Sequence, residues 1–140
     1  MGNFERLYYS SVCFVNDMKH LHLHAVGNKF DRIHAIAEEY YKKANEEADT
    51  FGELAMEYNK NLSNASYAAS LIGYKPCAYS NVDWEIAVKE FDLRIRQYLT
   101  AMEQVRYSED ISTDVESLLD DIMRYWKKEV NYKNRKRMED

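Results

Sequence analysis

The sequence predicts an all-α protein: a four-helix bundle with a long crossover connection between its second and third helices. Three observations carry this. The chain of 140 residues has one Pro and four Gly, whereas a sheet protein that turns roughly every ten residues needs more punctuation. Apolar residues recur three and four apart over four long stretches. One segment alone, 59–80, is both long and rich in loop formers.

The first helix is expected over 3–26, with a stripe of Leu7, Ser11, Phe14, Val15, Met18, Leu21, His22 and Ala25. Gly27-Asn28 ends it, because both tolerate the left-handed conformation of a helix stop. The second spans 30–58, and its seam runs through Phe30, Ile33, Ala37, Tyr40, Ala44, Ala48, Phe51, Ala55 and Tyr58. The small residues in mid-seam let a neighbouring helix come close. Asn59, Asn61, Ser63, Asn64, Gly73 and Pro76 interrupt the rhythm, with room for a helical turn or two at 65–72. Antiparallel neighbours need only a short loop, so this linker implies a crossover. The third helix starts near Asn81 as N-cap and carries Trp84, Val88, Phe91, Ile95, Tyr98, Met102 and Val105. After 108–112 the fourth continues through Ile111, Val115, Leu118, Ile122 and Tyr125 or Trp126. The bundle is expected over 1–130, with a basic tail at 131–140. Four long helices and one long connection fit a ferritin-like or a cytokine-like bundle, and the features below favour the former.

Composition narrows the function classes. The 24 acids and 19 bases give a net charge of −5, so a general nucleic-acid coat is disfavoured and any DNA contact must come from a local patch. No apolar run approaches the ~20 residues that span a bilayer. The start, Met1 to Arg6, is not a secretory signal, and Arg6 stands where a myristoylation signal wants Ser or Thr. Only Cys13 and Cys77 occur, a pattern of reducing compartments. The expectation is a cytoplasmic protein without a membrane partner. Twelve Tyr are a surplus that suits protein–protein contacts.

The chemistry lies in polar residues at helical spacing. His34, Glu38, Asp49 and Glu53 form a stripe about a third of a turn from the second helix's seam. A solvated face would produce the same stripe from Glu38 and Glu53 alone. Axial distance separates the readings. His34 and Asp49 lie about 22 Å apart at 1.5 Å per residue, so one ion cannot take both from one chain. If the second helix docks antiparallel on its copy in another subunit, His34 of one chain faces Asp49 and Glu53 of the other. In the first helix, His22 lies five residues before Gly27 and His34 seven after it, at nearly equal height in a hairpin. Two imidazoles and two carboxylates make a mixed N/O site suited to Fe(II) or a similar divalent ion.

His22, His34 twelve residues on, Glu38 four further, then Asp49 and Glu53 reproduce the spacing of the Dps family, the DNA-binding proteins from starved cells. The run HAVGNKFDRIHAIAEEYY resembles the family's signature, with Gly27 in the turn. The resemblance is residue-level over 16–57 and one of helix pattern through about 130. It implies a mini-ferritin subunit in a shell of twelve, built from two-fold dimers. Iron would be oxidised between subunits by peroxide or oxygen and stored as ferric mineral inside, limiting oxidative damage. It also implies that His22, His34, Asp49 and Glu53 are catalytic metal ligands, with Glu38 a ligand or an orienting group. The family commonly has Trp after the first His, where this chain has Leu23, and Asp where it has Glu38. The family's glycine-rich turn after the second helix is missing here.

Other constellations are weaker. His20 and His24 fall opposite His22 on a helix, as surface histidines or a separate metal pair. Asp31 and His34 form an acid-x-x-His pair like that of intrasubunit ferritin centres, which needs further ligands from other helices; no His follows His34. Neither Cys stands in a C-x-x-C. Asp114, near the start of the fourth helix, is where the family's pores would place an acid. Lys127, Lys128, Lys133, Arg135, Lys136 and Arg137 put six bases in the last fourteen residues. They are read as a solvated helix end complementing the dipole, with DNA-phosphate binding by Lys133, Arg135, Lys136 and Arg137 as the competing reading. The alternative for the whole chain is a non-enzymatic nucleoid or helical interaction protein with incidental metal binding.

Overall fold

The computed structural model describes residues 1–59 and 61–138, and its regular elements are all helices, with no strand among the described residues. The long helices are α1 (Asn3–His24), α2 (Phe30–Asn59), α4 (Trp84–Ser108) and α5 (Thr113–Lys128). A 3₁₀ turn (Ala65–Tyr67) and α3 (Ala68–Ile72) sit in the connection between α2 and α4, and a π turn (Glu129–Lys133) and α6 (Asn134–Met138) prolong α5. No helix among the described residues is long and apolar enough to cross a membrane.

α1 and α2 form an antiparallel hairpin. Phe4 stacks on Tyr58 with ring centroids 4.3 Å apart, Tyr8 lies against Gly52, and His22 meets His34 at the turn. A Cβ at Gly52 would stand 3.0 Å from the Tyr8 ring, so a larger residue there would make the ring give way by a few tenths of an ångström. At the turn Gly27 adopts φ 93°, a left-handed conformation that costs a side-chain-bearing residue more. α1 ends two residues earlier than its apolar pattern does. The Val26 N–H donates to the Val82 carbonyl (2.9 Å) and Val82 N–H to the His24 carbonyl (2.8 Å), so the chain before α4 captures the backbone groups that would have extended α1. That pairing also moves the start of α4. Its N-cap is Asp83, not Asn81, and the carboxylate accepts from Ile86 N–H at 3.0 Å, partnering an otherwise orphaned donor.

The core lies between the long helices. Phe14, Tyr98 and Trp126 meet at centroid distances of 4.7–5.6 Å. Tyr40 touches Phe91 and Trp126, and Phe51 touches Tyr98. Each such fully buried ring contributes on the order of 2 kcal/mol by leaving water. The predicted α2 seam is buried from Ile33 to Ala55, whereas Phe30 and Tyr58 at its ends remain 41% and 40% exposed. Leu23, Val26 and Met56 are also exposed large apolar residues on this hairpin.

Residues 129–138 continue as helix against the body of the protein. The Tyr40 hydroxyl donates to the Glu129 carboxylate at 3.0 Å and lies against the side-chain oxygen of the buried Asn134. Arg137 pairs with Glu129 (3.2 Å) and Glu39 (3.4 Å), and Arg32 donates to the Arg137 carbonyl. Of the expected basic tail, Glu139 and Asp140 lie outside the described residues.

Candidate metal centre

His22 and His34 come together where the hairpin turns. Their rings stack with centroids 3.6 Å apart and planes 23° from parallel. Each Nδ1 lies on the other residue's backbone carbonyl, His22 to the His34 oxygen at 2.9 Å and His34 to the His22 oxygen at 3.0 Å. A carbonyl only accepts, so the bond assigns the hydrogen to both Nδ1 atoms and leaves each Nε2 with a lone pair. Local folding explains why the His22 carbonyl can accept. Its helical donor would be the Val26 N–H, and that group is bonded to Val82 instead. Partnering Nδ1 to a carbonyl is the usual way a protein orients an imidazole for metal binding through Nε2.

Aromatic rings hold the pair from both sides. Phe30 lies over His34 at 5.2 Å, and Tyr41 stands edge-on to His22 at 5.3 Å. Glu38, one turn after His34, pairs with Lys42 at 3.1 Å. The Lys42 hydrogen bond and charge, aided by both imidazoles, hold the Glu38 carboxyl below its ordinary range. It therefore presents a carboxylate beside the imidazoles at neutral pH.

Asp49 and Glu53 are exposed and lie farther along α2, on a shallow depression lined also by Tyr8, Gly52, Met56 and Leu62. α2 runs unbroken through both positions, so Asp49 stands about 22 Å and Glu53 about 28 Å from His34 along its axis. The chain brings His22 and His34 together, with Glu38 one turn further along α2 and paired to Lys42, and does not bring Asp49 or Glu53 to them. Among the described residues no three His, Cys, Asp or Glu side chains converge closely enough to hold one ion.

The remaining candidates take other places. His20 and His24 stack on each other at 4.0 Å; His20 Nε2 donates to the Tyr79 carbonyl (2.7 Å) and His24 Nδ1 to the His20 carbonyl (2.8 Å). His20 thereby fastens the connection between α2 and α4 to α1. Asp31 is exposed. Midway along the helices, the space an intrasubunit centre would need is filled by Phe14, Tyr98 and Trp126. There Glu47 accepts from the Tyr98 hydroxyl (2.9 Å) and Trp126 Nε1–H (2.8 Å). Cys13 and Cys77 are buried, and burial pushes the Cys13 thiol up to about 11, away from nucleophilic use. Asp114 is exposed, its carboxyl lowered first by a Ser112 hydrogen bond. Of the basic residues, Arg137 is ion-paired, Lys133 lies 3.9 Å from Glu129, and Arg135 and Lys136 are exposed.

Two features of the centre were missed in the sequence. Tyr41 stands seven residues after His34, on the same helical face as Glu38 at four, and aromatic type alone does not mark it as a partner of His22. Phe30 is expected in the seam and in the run after Gly27, yet it stands four before His34 and covers that ring. Among known proteins, no family model and no curated protein matches this chain.

Proposed function

We propose that the protein is a Dps-like mini-ferritin that binds Fe(II) between subunits, oxidises it with peroxide or oxygen and stores the ferric product in a hollow homo-oligomer. The observation that carries this reading is the reciprocal bonding of His22 and His34, which engages both Nδ1 atoms with backbone and leaves the Nε2 atoms of a neighbouring imidazole pair for an ion. A half-site of two imidazoles calls for oxygen ligands to balance the charge of a divalent ion. Asp49 and Glu53, exposed and unable to reach the pair within the chain, are the carboxylates that a two-fold partner would bring. Such docking would also cover the exposed Leu23, Val26 and Phe30 at one end of the hairpin and Met56 and Tyr58 at the other. The ferritin-like bundle is supported by contact order. Tyr40 with Phe91 and Phe51 with Tyr98 run the same way along α2 and α4, so the intervening chain must cross the bundle's length.

In this reading His22 and His34 of one subunit and Asp49 and Glu53 of its partner hold Fe(II), and Glu38 orients or joins the imidazoles. Imidazole and carboxylate ligands suit both Fe(II) and Fe(III) and leave positions for the oxidant. The test is to load the purified protein with Fe(II) anaerobically and add peroxide. The expected results are a rise in ferric absorbance, its loss in His34→Ala, and a gel-filtration mass far above that of one chain. No rise, or indistinguishable wild type and variant, refutes the ferroxidase; a monomeric mass refutes the shared site.

A further inference from the structure

A cavity of about 170 Å³ lies between α1 and α4, bordered also by Ile72 and Tyr74 of the connection. Its floor is aromatic: the buried Phe14 and Tyr98 stack at 4.7 Å beside the buried Ala101. A cavity of roughly 150 Å³ takes up benzene, so this one has room for a single ring. Two guanidinium groups line it, and they differ. Arg94 is buried and fully engaged: Nε donates to Glu90 (2.9 Å), Nη1 to the Lys75 carbonyl (2.7 Å), and the Asp17 carboxylate stands 3.2 Å from Nη1. Its charge is matched inside the chain. Arg6 is half-buried, and its guanidinium has no ion pair or hydrogen bond among the described residues. The Ser10 hydroxyl, one turn further along α1, and the Gln104 amide of α4 line the same cavity and are equally unspent.

We propose that this cavity binds a small aromatic monocarboxylate, its ring on the Phe14–Tyr98 floor and its carboxylate on Arg6. An apolar cavity with a few free polar groups is the usual form of a small-molecule site. The aromatic floor favours a ring, through offset and edge contacts. Charge selects the rest. One unmatched cation calls for one negative charge; a ligand cation is repelled by Arg6, and a dianion leaves its second charge unpaired because Arg94 is already taken. A guanidinium can grip a carboxylate through two parallel N–H bonds, and Ser10 and Gln104 add donors beside it. Phe14 stands about 12 Å from His22 along α1, so this site is separate from the imidazole pair and needs no iron.

The experiment titrates the full chain into 4-fluorobenzoate, 4-fluorobenzamide and 4-fluorobenzylammonium, read by fluorine NMR of the ligand, which works at any oligomer size. Wild type is expected to bind the benzoate saturably at one site per chain, the neutral amide at least tenfold more weakly, and the ammonium not at all. Arg6→Gln should weaken the benzoate about tenfold or more, because a hydrogen bond to a charged group is lost, and bring it level with the amide. Ser10→Trp fills the cavity from a half-buried position and should abolish binding of both. Circular dichroism checks that the variants keep the wild-type helix content, and the three-ligand comparison in wild type needs no variant. No saturable binding of the benzoate, equal binding of benzoate and amide, preference for the ammonium, or unchanged affinity in folded Arg6→Gln or Ser10→Trp each overturns the assignment and leaves the ferroxidase untouched.

Discussion

Mixing two inactive variants tests the shared site most directly. His34→Ala removes one imidazole from each chain but keeps Asp49 and Glu53. The double variant Asp49→Ala/Glu53→Ala keeps both imidazoles and removes the carboxylates. Because α2 is one unbroken helix, the two halves stand about 22 Å apart in a chain, so each variant alone has no complete site. In a dimer of the two, one site loses both halves and the other is wholly intact. Random pairing makes about half the dimers mixed with one good site in two, so co-refolding equal amounts should restore about a quarter of the wild-type sites. The assays are anaerobic titration with Fe(II), which counts sites, and ferric absorbance after peroxide, which counts working ones. Either variant alone should read near zero in both. No recovery on mixing, with both variants folded and oligomeric, would show that the halves do not meet across subunits. Full activity in either variant alone would show that its missing residues are not ligands.

The interior offers a second test. Burial holds the Glu47 carboxyl above its ordinary value, against the lowering effect of Trp126, Tyr98 and Lys43, so the folded protein binds this proton more readily than the unfolded chain. The ionised form therefore weakens folding above the folded-state pKa, and the deficit fades as pH falls through it. Glu47→Gln should melt at or above the wild-type temperature at neutral pH, the gap closing in acid. Glu47→Leu leaves the Tyr98 O–H and Trp126 N–H without an acceptor and should cost about 1–3 kcal/mol for each in urea unfolding. A Gln variant as damaged as the Leu variant would refute the argument. DNA binding is the third test. With a net charge of −5 and Arg137 held by Glu39 and Glu129, duplex DNA should not be retarded at physiological ionic strength. Salt-sensitive retardation abolished by Arg135→Glu/Lys136→Glu would favour the nucleoid reading instead.

The helices were legible because their signal is local. The 3–4 apolar spacing of α2 marked a seam that is buried from Ile33 to Ala55, and Gly27 marked the turn that it does make. Boundaries set by distant partners were not legible. α1 stops at His24 and α4 starts at Trp84 because Val82 pairs with residues 24–26, and nothing in either stretch names the other. The C-terminal segment shows the same limit. Its run of bases reads as a solvated end, whereas Arg137 folds onto Glu39, in a distant part of the chain, and onto the nearby Glu129. At the candidate centre, spacing placed His22 and His34 at one height. It carried no information on ring orientation, which is set by the backbone carbonyl of the other histidine across the hairpin.

The sequence by itself determined the helical class, the long second helix and the separation of His34 from Asp49 and Glu53 along it, since each follows from residue type and a fixed rise per residue. Only the tertiary structure decided that both imidazoles give their Nδ1 hydrogens to carbonyls and keep Nε2 free. For the His22 carbonyl that outcome came with Val82, far along the chain, drawing the Val26 N–H away. It likewise decided that Tyr41, silent in the sequence, stands against the edge of His22. Hydrogen bonds compete for partners across the whole fold, and periodicity along one helix does not record who wins.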